Sequence, residues 1–458
     1  MANNEQARGA WGSKLGFIVA AAGSAIGLGN IWRFPYVAGQ NGGAAFVFIY
    51  IFFIVIIGLP VMIAEFSMGR HTQKNPVGAF KAIAPRTPWP WVGGLAVFTC
   101  IAALSFYCVI AGFAVGYFVK ILLGDFSQII TGAQCEGVFS QFASNPFISI
   151  GVLLLFIVLT ALIVIRGISA GIERWSKILM PVLFLLLIVL AIRSITLPGA
   201  TRGLVFYLKP DFSKVTGTTV AQALGQALFS LGVGVGIMIT YGSYLSKKDN
   251  LFTSAGSVCF FDTLIAFLAG LIMFPALFAM GIDPAKGAGL IFVVLPSIFT
   301  KMPGGMVFGA GIFLLISLAA LTSTISILEV PVAYFVDEKK WSRKKAVLWM
   351  TLAVVVLGVP SAISLGAARW FSRLPFLNMG FLDMMNIMFG NYSLTIGAFF
   401  VAVFVSYRWG LKSVMAEIEQ EGNVFTFKRI WAVLIRFVCP LAIAVILGYI
   451  IITGTYFG

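Results

Sequence analysis

The stretch AAGSAIGLGNIWRFPY, residues 21–36, decides how the rest of the chain is read. It lies in a strongly apolar segment, yet Gly23, Gly27, Gly29 and Asn30 interrupt it and Arg33 stands just beyond them. Each glycine costs a helix interior about 1 kcal/mol relative to alanine. So many weak positions in one short run require compensation from something other than helix propensity. A second stretch, FSLGVGVGIMITYGSY at 229–244, repeats the pattern far down the chain.

Composition identifies the medium. Of 458 residues, 60% are hydrophobic and 10% charged, and the mean hydropathy is +1.01. A soluble domain carries about 25% charged residues. The deficit runs the whole length, which implies an all-α integral membrane protein with no large soluble domain. Eleven segments are long enough to be transmembrane helices: 13–39, 44–69, 91–123, 147–165, 176–197, 221–246, 251–280, 306–336, 346–364, 381–407 and 430–453. The first is too long and too late for a removable signal peptide.

The net charge of +15 raises the possibility of nucleic acid. Its placement argues against that partner and for a lipid bilayer. With a cytoplasmic N-terminus, about 20 of the 31 Lys and Arg fall in inner segments, including Lys339, Lys340, Arg343, Lys344 and Lys345. This is the positive-inside bias, and eleven spans then put the C-terminus outside a plasma (inner) membrane. The single histidine, His71, offers no basis for a histidine-centred active site. Cys100, Cys108, Cys259 and Cys439 lie in apolar runs and read as small buried hydrophobes. Cys135 stands in a loop, and no CxxC or Cys/His spacing suggests a metal.

The two glycine-rich spans are the first and the sixth, five apart. That placement points to a 5+5 inverted repeat with discontinuous helices 1 and 6. One such span alone reads more readily as close helix packing through small residues; the matching pair reverses the preference. A break in mid-membrane frees N–H and C=O groups, which is tolerated only where they line a cavity or meet a ligand. Three carboxylates, Glu65, Asp262 and Glu329, also fall inside apolar spans. Glu65 and Glu329 read equally well as structural groups held by nearby donors. Asp262 has no basic residue in its own span, so a bound cation is its natural partner. The hydroxyls of SLAALTSTISILE, 317–329, can back-bond to carbonyls one turn earlier; beside loosened carbonyls they are suitable oxygens for a hard cation.

GSAIGLGNIWRFPYVAGQNGGAAF (23–46), EFSMGR (65–70), GIERWSKILMP (171–181), ALFSLGVGVG (227–236) and LTSTISILE (321–329) resemble, in order, the signature blocks of the neurotransmitter:sodium symporter family, in its bacterial amino-acid branch. The resemblance implies a bundle of spans 1, 2, 6 and 7 rocking against a scaffold of spans 3, 4, 8 and 9. It divides the chain into 1–246, 247–407 and a last span within 408–458. It implies sodium as the coupling ion at two sites. The first uses Ala25, Asn30, Ser230 and Asp262; the second uses Gly23, Ile26, Ala319, Thr322 and Ser323. The substrate would be a small molecule, an amino acid with its carboxylate on the N–H groups of Leu28 and Gly29 and on Tyr107. Its ammonium would meet carbonyls near Ala25, Phe229, Ser230 and Gly232. Ala103, Val235, Ser323 and Ile327 complete the expected pocket. Ala103, Gly232 and Val235 are small where the bacterial leucine carrier is bulkier, and Gly27 stands where monoamine carriers place an aspartate. Both departures favour a large apolar or aromatic amino acid over an amine.

The resemblance also implies two gates. Outside, Arg33 should face an acid of span ten, but Asn386 occupies that position, which leaves Asp383 as the substitute. Inside, Arg8 and Trp11 should face Asp337, with Ser243 and Tyr244 nearby. Asp262 replaces the asparagine of many relatives beside Tyr50 and Gln226, which match residues around a chloride site; its permanent charge would make chloride unnecessary. The rival readings are an intramembrane enzyme, for which no nucleophile–base pair or metal cluster appears, and a channel or amino-acid sensor that binds without concentrating. Oligomeric state is left open.

Overall fold

The computed structural model describes residues 9–126, 132–282, 291–375 and 377–454, and among these the regular structure is entirely helical. Nine helices are long and apolar enough to cross a membrane, or ten if the bent pair Lys14–Ala25 and Gly29–Gln40 counts as one. The nine are Ala44–Thr72, Pro90–Leu122, Pro146–Val164, Ile168–Ile195, Leu251–Ala279, Gly305–Lys339, Arg343–Ile363, Phe381–Ile418 and Lys428–Thr453. Of the eleven expected spans, the two expected to be discontinuous, the first and the sixth, are the ones that length does not pick out as single helices. The sixth is split into Gly217–Leu231 and Ile237–Gly242, each too short to count by length.

Both breaks fall on the glycine runs. Ser13 caps Lys14–Ala25 by accepting from the Gly16 N–H, and the helix ends where Ile26 turns to an extended conformation. The chain resumes in a π-turn, Gly29–Arg33, and leaves at 51° to its original direction. In span six Gly232, Gly234 and Gly236 all have positive φ, a region that side chains disfavour. Gly234 is further constrained by its neighbours. A Cβ there would lie 2.3 Å from the Leu394 carbonyl oxygen and 2.5 Å from the Ala398 nitrogen, so span ten crosses the break backbone against backbone. The loosened Gly234 N–H donates to Glu65 Oε1 at 2.7 Å. Glu65 thus takes the structural role left open for it: a buried carboxylate from span two that partners the unwound part of span six.

Pro90–Leu122 and Gly305–Lys339 pack along one another as the core pair, each 72% buried over its most apolar window. Lys428–Thr453 is only 28% buried over the same length. Its outer face exposes Leu441, Val445 and Ile452, as a lipid-facing helix should. Cys135, expected in a loop, is buried in the helix Gly132–Ser144, and all five cysteines are free.

A polar hub that hydropathy does not announce ties the ends of spans two, six and ten. Glu417, 1% exposed, receives Arg70 Nε at 2.8 Å and His71 Nδ1 lies 3.0 Å from it. Lys247 Nζ donates to both of its oxygens, at 2.9 and 3.0 Å. Arg70 is wholly buried and also donates to the carbonyls of Asp249 and Glu417. Removing one partner of a buried ion pair strands the other, at a cost of roughly 3–5 kcal/mol. Glu417→Ala should therefore lower the thermal unfolding temperature of the purified protein sharply, and Glu417→Gln, which keeps oxygen and shape, should lower it less. Native-like stability of Glu417→Ala would contradict this role.

Candidate substrate and ion site

The two breaks lie side by side, and polar groups from the helices around them converge there. Asp262, midway along Leu251–Ala279 and fully buried, is held by an amide and two hydroxyls. Asn30 Nδ2 donates to Asp262 Oδ1 at 2.8 Å and to Ser230 Oγ at 2.9 Å. Ser230 Oγ lies 2.8 and 2.9 Å from the two carboxylate oxygens, and Tyr50 OH donates to Oδ2 at 3.0 Å. These residues come from spans one, two, six and seven. Gln226 Nε2 donates to the Gly29 carbonyl at 2.8 Å, which also accepts the Phe34 N–H. A buried carboxylate among neutral oxygens and an amide suits a small hard cation.

A second oxygen cluster sits at the end of the first half-helix. The Ile26 carbonyl accepts from Thr322 Oγ1 at 3.3 Å and Ser323 Oγ at 3.2 Å. Thr322 also donates to the Ala319 carbonyl at 2.8 Å, and Ser323 to the Ser24 carbonyl at 3.1 Å. Gly23 faces Thr322 across this junction, where a Cβ would lie 3.5 Å from that of Thr322. The back-bonding alternative and the ligand alternative therefore coexist: Thr322 makes the local bond and still reaches across to span one.

Between the clusters lies a cavity of about 80 Å³. It is lined by Ala25, Gly29, Ala103, Tyr107, Phe229, Ser230, Gly232, Val235, Ser323 and Ile327, all expected from sequence. Leu28 meets it through its N–H, which donates to Tyr107 OH at 2.9 Å. Thr99, Cys100, Phe106, Ile237, Phe389 and Leu394 also line it and were not expected. Thr99, Cys100 and Phe106 lie three or four residues from Ala103, so helical spacing alone was signal enough. Phe389 carried no such signal, because a π-turn, Asn386–Tyr392, changes the register of span ten. At Gly27 a Cβ would lie 2.4 Å from Ser323 Oγ and 2.5 Å from Tyr107 OH. A side chain there requires Ser323 or Tyr107 to move.

The expected gate residues are partly brought together. Arg33 Nη2 donates to Asn391 Oδ1 at 3.0 Å, and its guanidinium lies 4.2 Å over the Phe229 ring. Asp383 instead accepts from the Gly380 N–H, at the start of its own helix. Asn386 contributes its carbonyl, which accepts from Asn391 Nδ2 at 3.3 Å. The acceptor that the sequence sought at 383 or 386 is thus found at 391. At the opposite end Trp11 Nε1 donates to the Tyr241 carbonyl at 3.1 Å and its ring packs edge-on against Tyr241 and Tyr244. Tyr244 OH donates to Glu329 Oε1 at 2.8 Å, and Arg343 forks onto the same carboxylate at 3.1 and 2.5 Å. Glu329 is thereby a structural ion-pair partner. Asp337 accepts from the backbone and side chain of Asn75, and Ser243 donates to the Thr240 carbonyl. Arg8 lies outside the described residues.

Paired broken helices around a mostly apolar cavity flanked by two oxygen clusters suit a membrane carrier that couples a solute to an ion. Comparison with known proteins makes this specific. The chain matches the sodium:neurotransmitter symporter family over residues 8–145 and 148–456. It is 40% identical over 446 residues to the sodium-dependent transporter YhdH of Bacillus subtilis, covering 97% of this chain and 98% of that one. It is 35% identical to a sodium-dependent transporter of Haemophilus influenzae, over 97% of this chain and 99% of that protein. Among solved structures it resembles MhsT in complex with L-phenylalanine, with a TM-score of 0.88, 41% identity, and coverage of 96% of this chain and 99% of that one. The protein belongs to the sodium:neurotransmitter symporter family and is a sodium-dependent membrane transporter, not an enzyme.

Gly27→Ala tests the close approach at the cavity floor. Ser323 or Tyr107 must shift to admit the methyl, so sodium-dependent substrate binding should fall by roughly tenfold or more, with the unfolding temperature little changed. Unaltered affinity would show that this contact does not shape the site.

Proposed function

We propose that this protein imports a large apolar or aromatic L-amino acid, driven by two sodium ions and without a need for chloride. The observation that carries the reading is the cavity itself: Asp262 beside it, no side chain at Gly27, and an apolar wall of Ala103, Phe106, Val235, Ile327 and Phe389. MhsT, which shares this fold, is seen with L-phenylalanine. On this reading the first ion lies among the Ala25 carbonyl, Asn30, Ser230 and Asp262, and the second among Gly23, Ile26, Ala319, Thr322 and Ser323. The substrate carboxylate meets Tyr107 and the N–H groups of Leu28 and Gly29, at the start of the second half-helix, where the helix dipole favours an anion. The absence of a carboxylate at position 27 means that the substrate brings its own.

The proposed cycle is alternating access, with spans 1, 2, 6 and 7 moving against spans 3, 4, 8 and 9. The N-terminus is cytoplasmic and the C-terminus is outside. At −100 mV each inward charge gains about 2.3 kcal/mol, and a tenfold gradient adds about 1.4 kcal/mol. Two sodium ions with a zwitterion then support roughly 10⁵-fold accumulation, and one ion several hundred-fold. Asp262 supplies the negative charge that would offset the second ion, so no anion is required.

Two measurements test this. Binding of labelled phenylalanine to purified protein should require sodium and be displaced by tyrosine, leucine or tryptophan far better than by glycine or glutamate. The reverse order would overturn the substrate class. Replacing chloride by gluconate should leave uptake unchanged, while Asp262→Ser should make uptake depend on chloride. A collapse of wild-type uptake in gluconate would remove Asp262 from its proposed role.

A further inference from the structure

The geometry points to Asn391 as the residue that positions Arg33 over the substrate cavity, through a neutral amide where an ion pair was expected. This rests on the transport reading above.

Span ten departs from the α-helix over Asn386–Tyr392, which is a π-turn. In an α-helix, Asn391 would sit roughly 140° around the axis from Asn386. The i→i+5 pairing of a π-turn brings the two nearly into line. The extra residue in the turn therefore carries Asn391 onto the face where the sequence led one to expect an acid at 386. Asn391 is 1% exposed and both ends of its amide are used. Its Nδ2 donates to the Asn386 carbonyl at 3.3 Å, which fixes the flip, and its Oδ1 then accepts from Arg33 Nη2 at 3.0 Å. Its own carbonyl accepts from Thr395 Oγ1 at 2.7 Å, anchoring the position one turn further on.

Asn391 therefore acts on the cavity through two others. Arg33 stacks on Phe229 at 4.2 Å, and Phe229 is a wall of the cavity. At about 80 Å³ the cavity is smaller than the ~150 Å³ that holds a benzene ring. An aromatic amino acid needs more room than this, and movement of the Phe229 wall is coupled, through the stacked Arg33, to the Arg33–Asn391 contact. An amide holds a guanidinium less tightly than a carboxylate does. Asn391 consequently sets a weak latch that opens readily, and Asn391→Asp should convert it to a strong one.

Cys100 provides a reporter that needs no substrate, since it lines the same cavity and is buried. In protein reconstituted in nanodiscs with Cys108, Cys135, Cys259 and Cys439 replaced by alanine, the rate of Cys100 modification by small methanethiosulfonates reads the opening of the latch. A cationic and an anionic reagent are both used, so that local charge effects on the reagent cancel. Asn391→Ala should speed modification about tenfold and Asn391→Asp should slow it about tenfold. In an Arg33→Ala background neither substitution should have any effect. Unchanged rates in both variants, or changes that persist without Arg33, would overturn the proposal. Labelled phenylalanine with sodium should protect Cys100; if the latch results hold and protection fails, the substrate reading falls and the role of Asn391 stands.

Discussion

Loosened backbone groups in the middle of an apolar slab are the constraint on which the rest of this structure depends. Each unsatisfied N–H or C=O in hydrocarbon costs several kcal/mol, far more than the glycines lose in helix propensity. Several of the groups that the breaks release are met by side chains of other spans. Glu65 of span two takes the Gly234 N–H, and Tyr107 accepts from Leu28. Thr322 and Ser323 of span eight reach the Ile26 carbonyl. The breaks thus recruit spans two, three and eight, and the site is what this recruitment builds.

The geometry has a polarity with chemical consequences. Carbonyls before the first break face the hydroxyls of span eight, and N–H groups after it face Tyr107. Acceptors on one side favour a cation and donors on the other favour an anion. Asp262 adds a charge where Asn30 and Ser230 of the two broken helices meet Tyr50 of span two. The ions and the substrate are, on the proposed reading, the remaining partners of a backbone that cannot be satisfied by the protein alone.

Much of this was legible in the sequence because glycine in an apolar run has few explanations. The breaks at 26–28 and 232–236, the buried Asp262 and most of the cavity wall follow from glycine spacing, isolated charge and the family motifs. Cys100 and Thr99 were readable from helical periodicity beside Ala103 and were overlooked. What hydropathy could not show was register. The π-turn in span ten moves Asn391 onto a face that α-helical counting assigns to Asn386, so the partner of Arg33 was sought at the wrong positions. Nor could it distinguish structural carboxylates from functional ones. Glu65 and Glu329 look alike in the chain, and only their neighbours reveal a helix-end partner and an ion pair. Among the described residues, length alone recognises nine continuous spans, because the two spans broken in the middle, the first and the sixth, no longer have the length by which spans are recognised.

The most direct test of the central claim is uptake by purified protein in liposomes under an imposed inward sodium gradient, measured with labelled phenylalanine. If the broken helices form a coupled ion and substrate site, the amino acid should accumulate inside well above its external concentration and flow out when the gradient is collapsed. Entry that stops at equal concentrations inside and out, or that proceeds identically with potassium in place of sodium, would contradict it.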